Sequence, residues 1–198
     1  MATPTKKAKV IDKWKLKQWY TVLAPQIFDG REIAEIISSD EDNMKDRIIR
    51  VSLADVTGQP SQSAIFTALK FRVTEVKGKN AHTKLIGHEL SASYVLTLSR
   101  RNRSLIKVIK DIKTVDEQNV RLKILAISGS ELSQNTKKNI HHAIHEEVNK
   151  IVGEQNFDQL MQDVVFGRLA SKIFNRLKQI TAMRRVEIRK SEIIEGQK

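Results

Sequence analysis

Cysteine is absent from this chain of 198 residues. Disulfides, thiolate metal sites and thiol nucleophiles are therefore excluded, and a reducing compartment suits the composition. Glycine is scarce and scattered, eight residues in all, and no spacing among them makes a phosphate loop or a dinucleotide fingerprint. Aromatic residues make up only 5%, and no base-stacking platform of the ribonucleoprotein type falls on a central strand. No apolar run is long enough to cross a bilayer, and no charged start leads into a secretory apolar segment. Acidic charge is outnumbered: 35 Lys and Arg stand against 23 Asp and Glu, a formal net charge of +12. That excess exceeds what solubility needs and points to nucleic acid, an anionic membrane surface or an acidic partner. Hydrophobic residues reach 40%, enough to bury a core, so the chain is not a disordered basic tail.

The most telling segment present is RRVEIRKS at Arg184–Ser191. Its alternation predicts a strand over 184–190, with Val186 and Ile188 inward and Arg185, Glu187 and Arg189 outward. Arginine forks held on a rigid strand, with Arg184 and Lys190 flanking them, suit a folded polyanion. A solvated face that protects a sheet edge is the plainer explanation of the same pattern. At the other end, residues 1–20 read as a basic arm. Lys6, Lys7, Lys9, Lys13, Lys15 and Lys17 crowd together there, with Trp14, Trp19 and Tyr20 interleaved. Such an arm repels itself until it meets counter-charge. Its lysines suit phosphates, while Trp19 and Tyr20 suit either bases or a tether to the core.

Residues 21–198 are expected to form one α+β domain, β-rich over 21–130, helical over 133–181, with the late strand after it. Ile49, Val51 and Leu53 alternate along one strand. Ile65, Thr67, Leu69, Phe71 and Val73 share a face of a longer one, and Asp55–Ser63 reads as the loop between them. A turn at 76–80 precedes a strand near Thr83–Ile86. Ser91–Arg101 predicts a short helix with Tyr94, Val95 and Leu98 inward, ending in Arg100, Arg101 and Arg103. The helix dipole alone explains part of that cluster. A second hairpin pairs Ile106, Val108 and Ile112 with Val120, Leu122 and Ile124. Two helices follow. One starts near Ser133 or Thr136 and carries Ile140, Ile144, Val148, Ile151 and Val152. The other runs from an Asn156/Gln159 capping box through Ile180 as a single phase.

Catalytic constellations are lacking. His141 and His145 share a helix face at metal-ligand spacing, but a zincin needs Glu at 142, where His stands, and no third ligand can be assigned. His88 and Glu89 are neighbours on a strand and face opposite ways. Ser128-Gly129-Ser130 lacks the glycines of a nucleophile elbow. No enzyme, cofactor or small-molecule substrate is expected.

Several segments together match a known family. KQWYTVLAP (17–25) with Phe28, ADVTG (54–58), FRVTEVKGKNAHTKLIGHEL (71–90), SASYVLTLSRR (91–101), FDQLMQDVVFGRLASKIFNRLKQI (157–180) and RRVEIRKS (184–191) occur in the family's order. The chain resembles the S-three-Ae family of archaeal and eukaryotic small-subunit ribosomal proteins, also called eukaryotic-type S-one. Departures lie at 127–140, where the approach to the helix is less arginine-rich, and at 180–185, where ITAMRR replaces a Tyr-Pro-Leu before the arginine pair. The resemblance implies a β-barrel-like antiparallel core with two C-terminal helices packed on it. It also implies a structural role on the platform of the small ribosomal subunit near the mRNA exit, in the cytoplasm. The implied partners are small-subunit rRNA and neighbouring ribosomal proteins, with mRNA near the exit as a further candidate. The expected phosphate contacts are Lys6, Lys7, Lys9, Lys13, Lys15, Lys17, Arg100, Arg101, Arg103, Arg184, Arg185, Arg189 and Lys190. The alternative is a non-catalytic basic module for an acidic protein partner.

Overall fold

A long hairpin is the axis of the molecule. Strands β4 (Thr67–Lys77) and β5 (Asn80–Leu90) pair antiparallel along their whole length. The turn between them needs a positive φ, which Gly78 supplies at +62°. Thr67, Leu69, Phe71 and Val73 point inward as the alternation predicts. The computed structural model describes residues 14–59, 61–153 and 155–194; Lys6, Lys7, Lys9 and Lys13 lie outside them.

The other strands assemble around β5. They are β1 (Gln18–Leu23), β2 (Glu32–Ser38), β3 (Ile48–Ser52), β6 (Leu105–Lys113), β7 (Asn119–Ser128) and β8 (Met183–Ile193). On one side of β5 lies β4, with β3 beyond it. On its other side β5 takes two partners in succession: β1, parallel, at Asn80–His82, and β8, antiparallel, at Gly87–Glu89. The order β2-β1-β5-β8-β7-β6 makes an eight-stranded sheet with β3 and β4 branching from it, and the sheet does not close on itself. The α+β class is as expected.

The expected loop at Asp55–Ser63 contains helix instead. Its polar residues act as caps: Ser52 Oγ accepts from the Asp55 amide at 3.3 Å and starts α1 (Leu53–Thr57). Ser61 Oγ accepts from the Ala64 amide at 3.2 Å and starts α2 (Gln62–Phe66). Leu53 therefore opens a helix, and Ile65 leaves the strand face and stands 58% exposed. Helix α3 (Ala92–Leu98) is capped by Ser91 and keeps Tyr94, Val95 and Leu98 half-buried. Helix α4 (Gln134–Val152) starts at Ser133, whose Oγ accepts from the Thr136 amide.

The single helix expected over 157–180 is two, α5 (Phe157–Val165) and α6 (Arg168–Lys178), so three helices follow the sheet's first seven strands. Gly167 stands between them at φ +74°, where an L side chain is strained. The apolar stripe passes through the break: Leu160, Leu169, Ile173 and Leu177 are fully buried. Each such side chain contributes about 1.5–3 kcal/mol. One core cluster joins Phe28, Phe71, β7 and β8 to α4, α5 and α6. A smaller cluster gathers Tyr20, Met44, Val73 and Ala81. Tyr20 thus anchors the chain's basic start, whereas Trp19 stays 61% exposed. No helix among the described residues is long and apolar enough to cross a membrane.

Candidate nucleic-acid interface

The arginine-bearing strand β8 is seated on β5 by a short seam. At Gly87 a Cβ would lie 2.1 Å from the Ser191 carbonyl oxygen, so only glycine allows the two strands this close. The next residue, His88, is buried. Its Nδ1 lies 2.7 Å from Ser191 Oγ and its Nε2 2.9 Å from the Ile188 carbonyl. Burial pushes the imidazole down to about 4, against the opposing pull of the Ile188 carbonyl and Glu89, so it is neutral at pH 7. Glu89 faces the other way, as the sequence predicts, and pairs with Lys70 at 2.7 Å. That bond, aided by Arg50 and Lys190, holds its carboxyl below the ordinary range despite partial burial.

Alternation along β8 holds through Val186 and Ile188 and then slips. Ile188 faces Ile124 and Lys190 faces Lys123, so Arg189 is the extra residue of a bulge. Ser191 turns inward to His88, and Arg189 and Lys190 are both left on the solvent side. The bulge thus places two consecutive cations outside.

The expected phosphate contacts differ in how committed they are. Arg185 Nε lies 2.6 Å from Glu187 Oε1, and its guanidinium sits 5.7 Å above the Tyr94 ring, which stacks on Phe66. Partial burial opposes its charge, but Glu187 more than offsets that and raises it. Lys190 is paired with Glu192, which also accepts from Lys123 at 3.2 Å. By contrast Arg100, Arg101, Arg103, Arg184 and Arg189 make no ion pair among the described residues. Arg100 and Arg101 are exposed in the turn after α3, where Asn102 takes φ +59°. Lys15 and Lys17 are exposed, and Lys17 Nζ lies 3.6 Å over the Trp14 ring.

Topology brings some of these residues together and separates others. Leu105 lies opposite Ile127, and Ile127 opposite Arg185. The starts of β6 and β8 are therefore two strand spacings apart, roughly 10 Å. Arg103 and Arg184, each next to one of these starts, share that end of the sheet. The arm enters elsewhere, because β1 joins β5 at Asn80–His82 while β8 joins it at Gly87–Glu89. These junctions are roughly 20 Å apart along β5.

Sequence reasoning did not single out a charged band across the open face. Arg50, Lys70, Lys190, Lys123 and Arg121 alternate there with Glu89, Glu192 and Asp111. Arg121 grips Asp111 through two bonds of 2.6 and 2.8 Å and depresses its carboxyl. The signal for the band was the every-second-residue charge at 70, 72, 121 and 123. Also unforeseen is a cleft of about 880 Å³ between α1, α2, the α5–α6 joint and β8, where Arg31, Arg184 and Arg185 stand beside Phe166 and Phe174. His141 and His145 have ring centroids 4.6 Å apart, and no group of three or more ligand residues is gathered for a metal among the described residues.

Residues 5–197 match the sequence profile of the Ribosomal S3Ae family. The chain belongs to this family. Among its relatives are proteins called small ribosomal subunit protein eS1 from three archaea. That of Saccharolobus islandicus is 35% identical over 92% of this chain and 87% of its own length. That of Sulfurisphaera tokodaii is 34% identical over 96% and 97%, and that of Methanobrevibacter smithii 33% over 98% and 100%. The S3Ae match takes in the β5–β8 seam, the α3 turn and the whole of β8, so the unpaired arginines stand on family architecture and not on an added segment.

Proposed function

We propose that this protein is a structural, non-catalytic constituent of the small ribosomal subunit, bound to folded small-subunit rRNA and to neighbouring ribosomal proteins on the platform near the mRNA exit, in the cytoplasm. The observation that carries the reading is the pairing of an S3Ae match over residues 5–197 with unpaired arginines, exposed at Arg100, Arg101 and Arg184 and half-buried at Arg103. Arg100, Arg101, Arg103 and Arg184 present their guanidinium groups without internal carboxylates to compete for them. Such groups bind phosphate and shape, without reading base sequence. The basic arm, with Lys6, Lys7, Lys9, Lys13, Lys15 and Lys17, serves as a second and separate contact.

Sedimentation of native lysate through a sucrose gradient tests this. The protein is expected with small subunits and whole ribosomes, persisting through a moderate salt wash. Its appearance only at the top of the gradient, while other small-subunit proteins stay bound, overturns the reading. A second reading, docking of an acidic protein partner, is favoured by the 880 Å³ cleft, where Phe166 is 55% exposed beside Arg31 and Arg184. Titration with platform proteins and with rRNA fragments separately distinguishes the two.

A further inference from the structure

A second concave cationic surface lies away from the cleft. Among the described residues β6 pairs with β7 alone, and helix α4 packs against it. Between the two runs a groove of about 510 Å³, floored by Leu105 and Ile106 and walled by Lys137, Lys138, His141 and His142. Lys137, His141 and His145 follow one another at intervals of four, so they form a single ladder along α4. From the strand side Lys110 Nζ donates to the His145 carbonyl at 3.0 Å.

Three features make this more than a solvated helix face. None of Lys137, Lys138, His141, His142 and His145 is paired with a carboxylate among the described residues, although Glu146 and Glu147 lie on the same helix. The lysines follow directly on a first turn that holds no acidic residue, a position where the helix dipole disfavours cations. One turn further along the ladder, His145 has its pKa lowered, by burial first and then by His141, Lys110 and His142. Leu105, at the groove's end, follows two residues after Arg103, so the groove continues the arginine cluster already described.

We propose that the α4–β6 groove is an RNA-phosphate site whose histidines take up protons as the phosphates bind. The proposal rests on the rRNA-binding reading above and adds to it a place and a proton linkage. Phosphodiesters stay ionised throughout the range in which histidine gains its charge. A phosphate among these imidazoles replaces a repelling field with an attracting one, so RNA binding and protonation assist each other. Phosphate that raises one imidazole by about one pK unit strengthens binding about tenfold between high and low pH. RNA is favoured over an acidic peptide by continuity with the unpaired arginines.

The test is binding of small-subunit rRNA fragments to the full chain at pH 8 and pH 6 over a range of salt. The variants are H141Q/H142Q and K137E/K138E, all at exposed or half-buried positions. Wild type is expected to bind about tenfold more tightly at pH 6. H141Q/H142Q should match it at pH 8 and lose most of that gain, His82 and His145 remaining in both proteins. K137E/K138E should lower the salt slope by about two units. Equal pH response in wild type and H141Q/H142Q, with K137E/K138E unchanged, overturns the groove while leaving rRNA binding intact. Failure of wild type to bind at either pH overturns both. Loss of polyglutamate binding by K137E/K138E, with rRNA binding unaltered, assigns the groove to an acidic protein and overturns the RNA assignment.

Discussion

His88 is the residue on which the arginine strand depends for its seat. Adjacent positions of a strand face opposite ways, so His88 and Glu89 were separable from sequence, and the structure keeps one inside and one paired with Lys70. Their partners were not legible, because Ile188 and Ser191 lie 100 and 103 residues further along the chain. Burial holds His88 at about 4 in the fold, against about 6.5 in an unfolded chain. Protons are then bound more tightly by the unfolded state between these values. The stabilisation is complete above about pH 6.5 and is lost as pH falls through about 4. Two and a half pK units correspond to roughly 3 kcal/mol in all, and about 2 kcal/mol of it is gone by pH 5. Urea unfolding at pH 7.5 and pH 5 checks this. His88→Leu, less stable overall because Ser191 and Ile188 lose a partner, is expected to show a shallower fall. An equal fall in both proteins places the titration elsewhere.

Among the elements, those with a strong local period were the readable ones. The hairpin of β6 and β7 and the inward set of β4 follow from alternation alone. The segment 157–180 misled because its apolar stripe stays in phase across Gly167, while the φ of +74° that ends α5 leaves no trace in hydrophobicity. The stretch 55–63 misled in the opposite way, since Ser and Gly read as turn formers and serve here as caps. The bulge at Arg189 could not be read, because a buried serine looks like an outward one until its histidine partner is known. Gly167→Ala is expected to destabilise the fold by about 1 kcal/mol, since a Cβ meets no atom there but the backbone conformation is left-handed. Thermal unfolding of the variant measures it. A gain in stability would mean that the α5–α6 joint relaxes into one continuous helix, the arrangement the sequence suggested.

For the whole molecule, net charge says less than the way the charge is spent. The open sheet face carries many cations, yet Lys70, Arg121 and Lys123 are occupied by Glu89, Asp111 and Glu192. Fewer cations surround the α3 turn, and those are unpaired. This distribution was only half visible in sequence: the arginine clusters were, whereas the long-range register that brings Arg103 and Arg184 to one end of the sheet was not. Phosphate must compete with a carboxylate at an ion-paired cation, so counterion release is dominated by the unpaired ones. Replacing Arg100, Arg101 and Arg103 together by Ala is expected to reduce the slope of log affinity for rRNA against log salt by about one unit for each phosphate no longer neutralised. Replacing Lys70, Arg121 and Lys123 by Gln removes the same formal charge and should change that slope by less than about one unit. Equal reductions in the two triple variants would show that net charge alone draws the RNA. A larger reduction from the sheet variant would move the interface to the open face, where the internal pairs would have to open on binding.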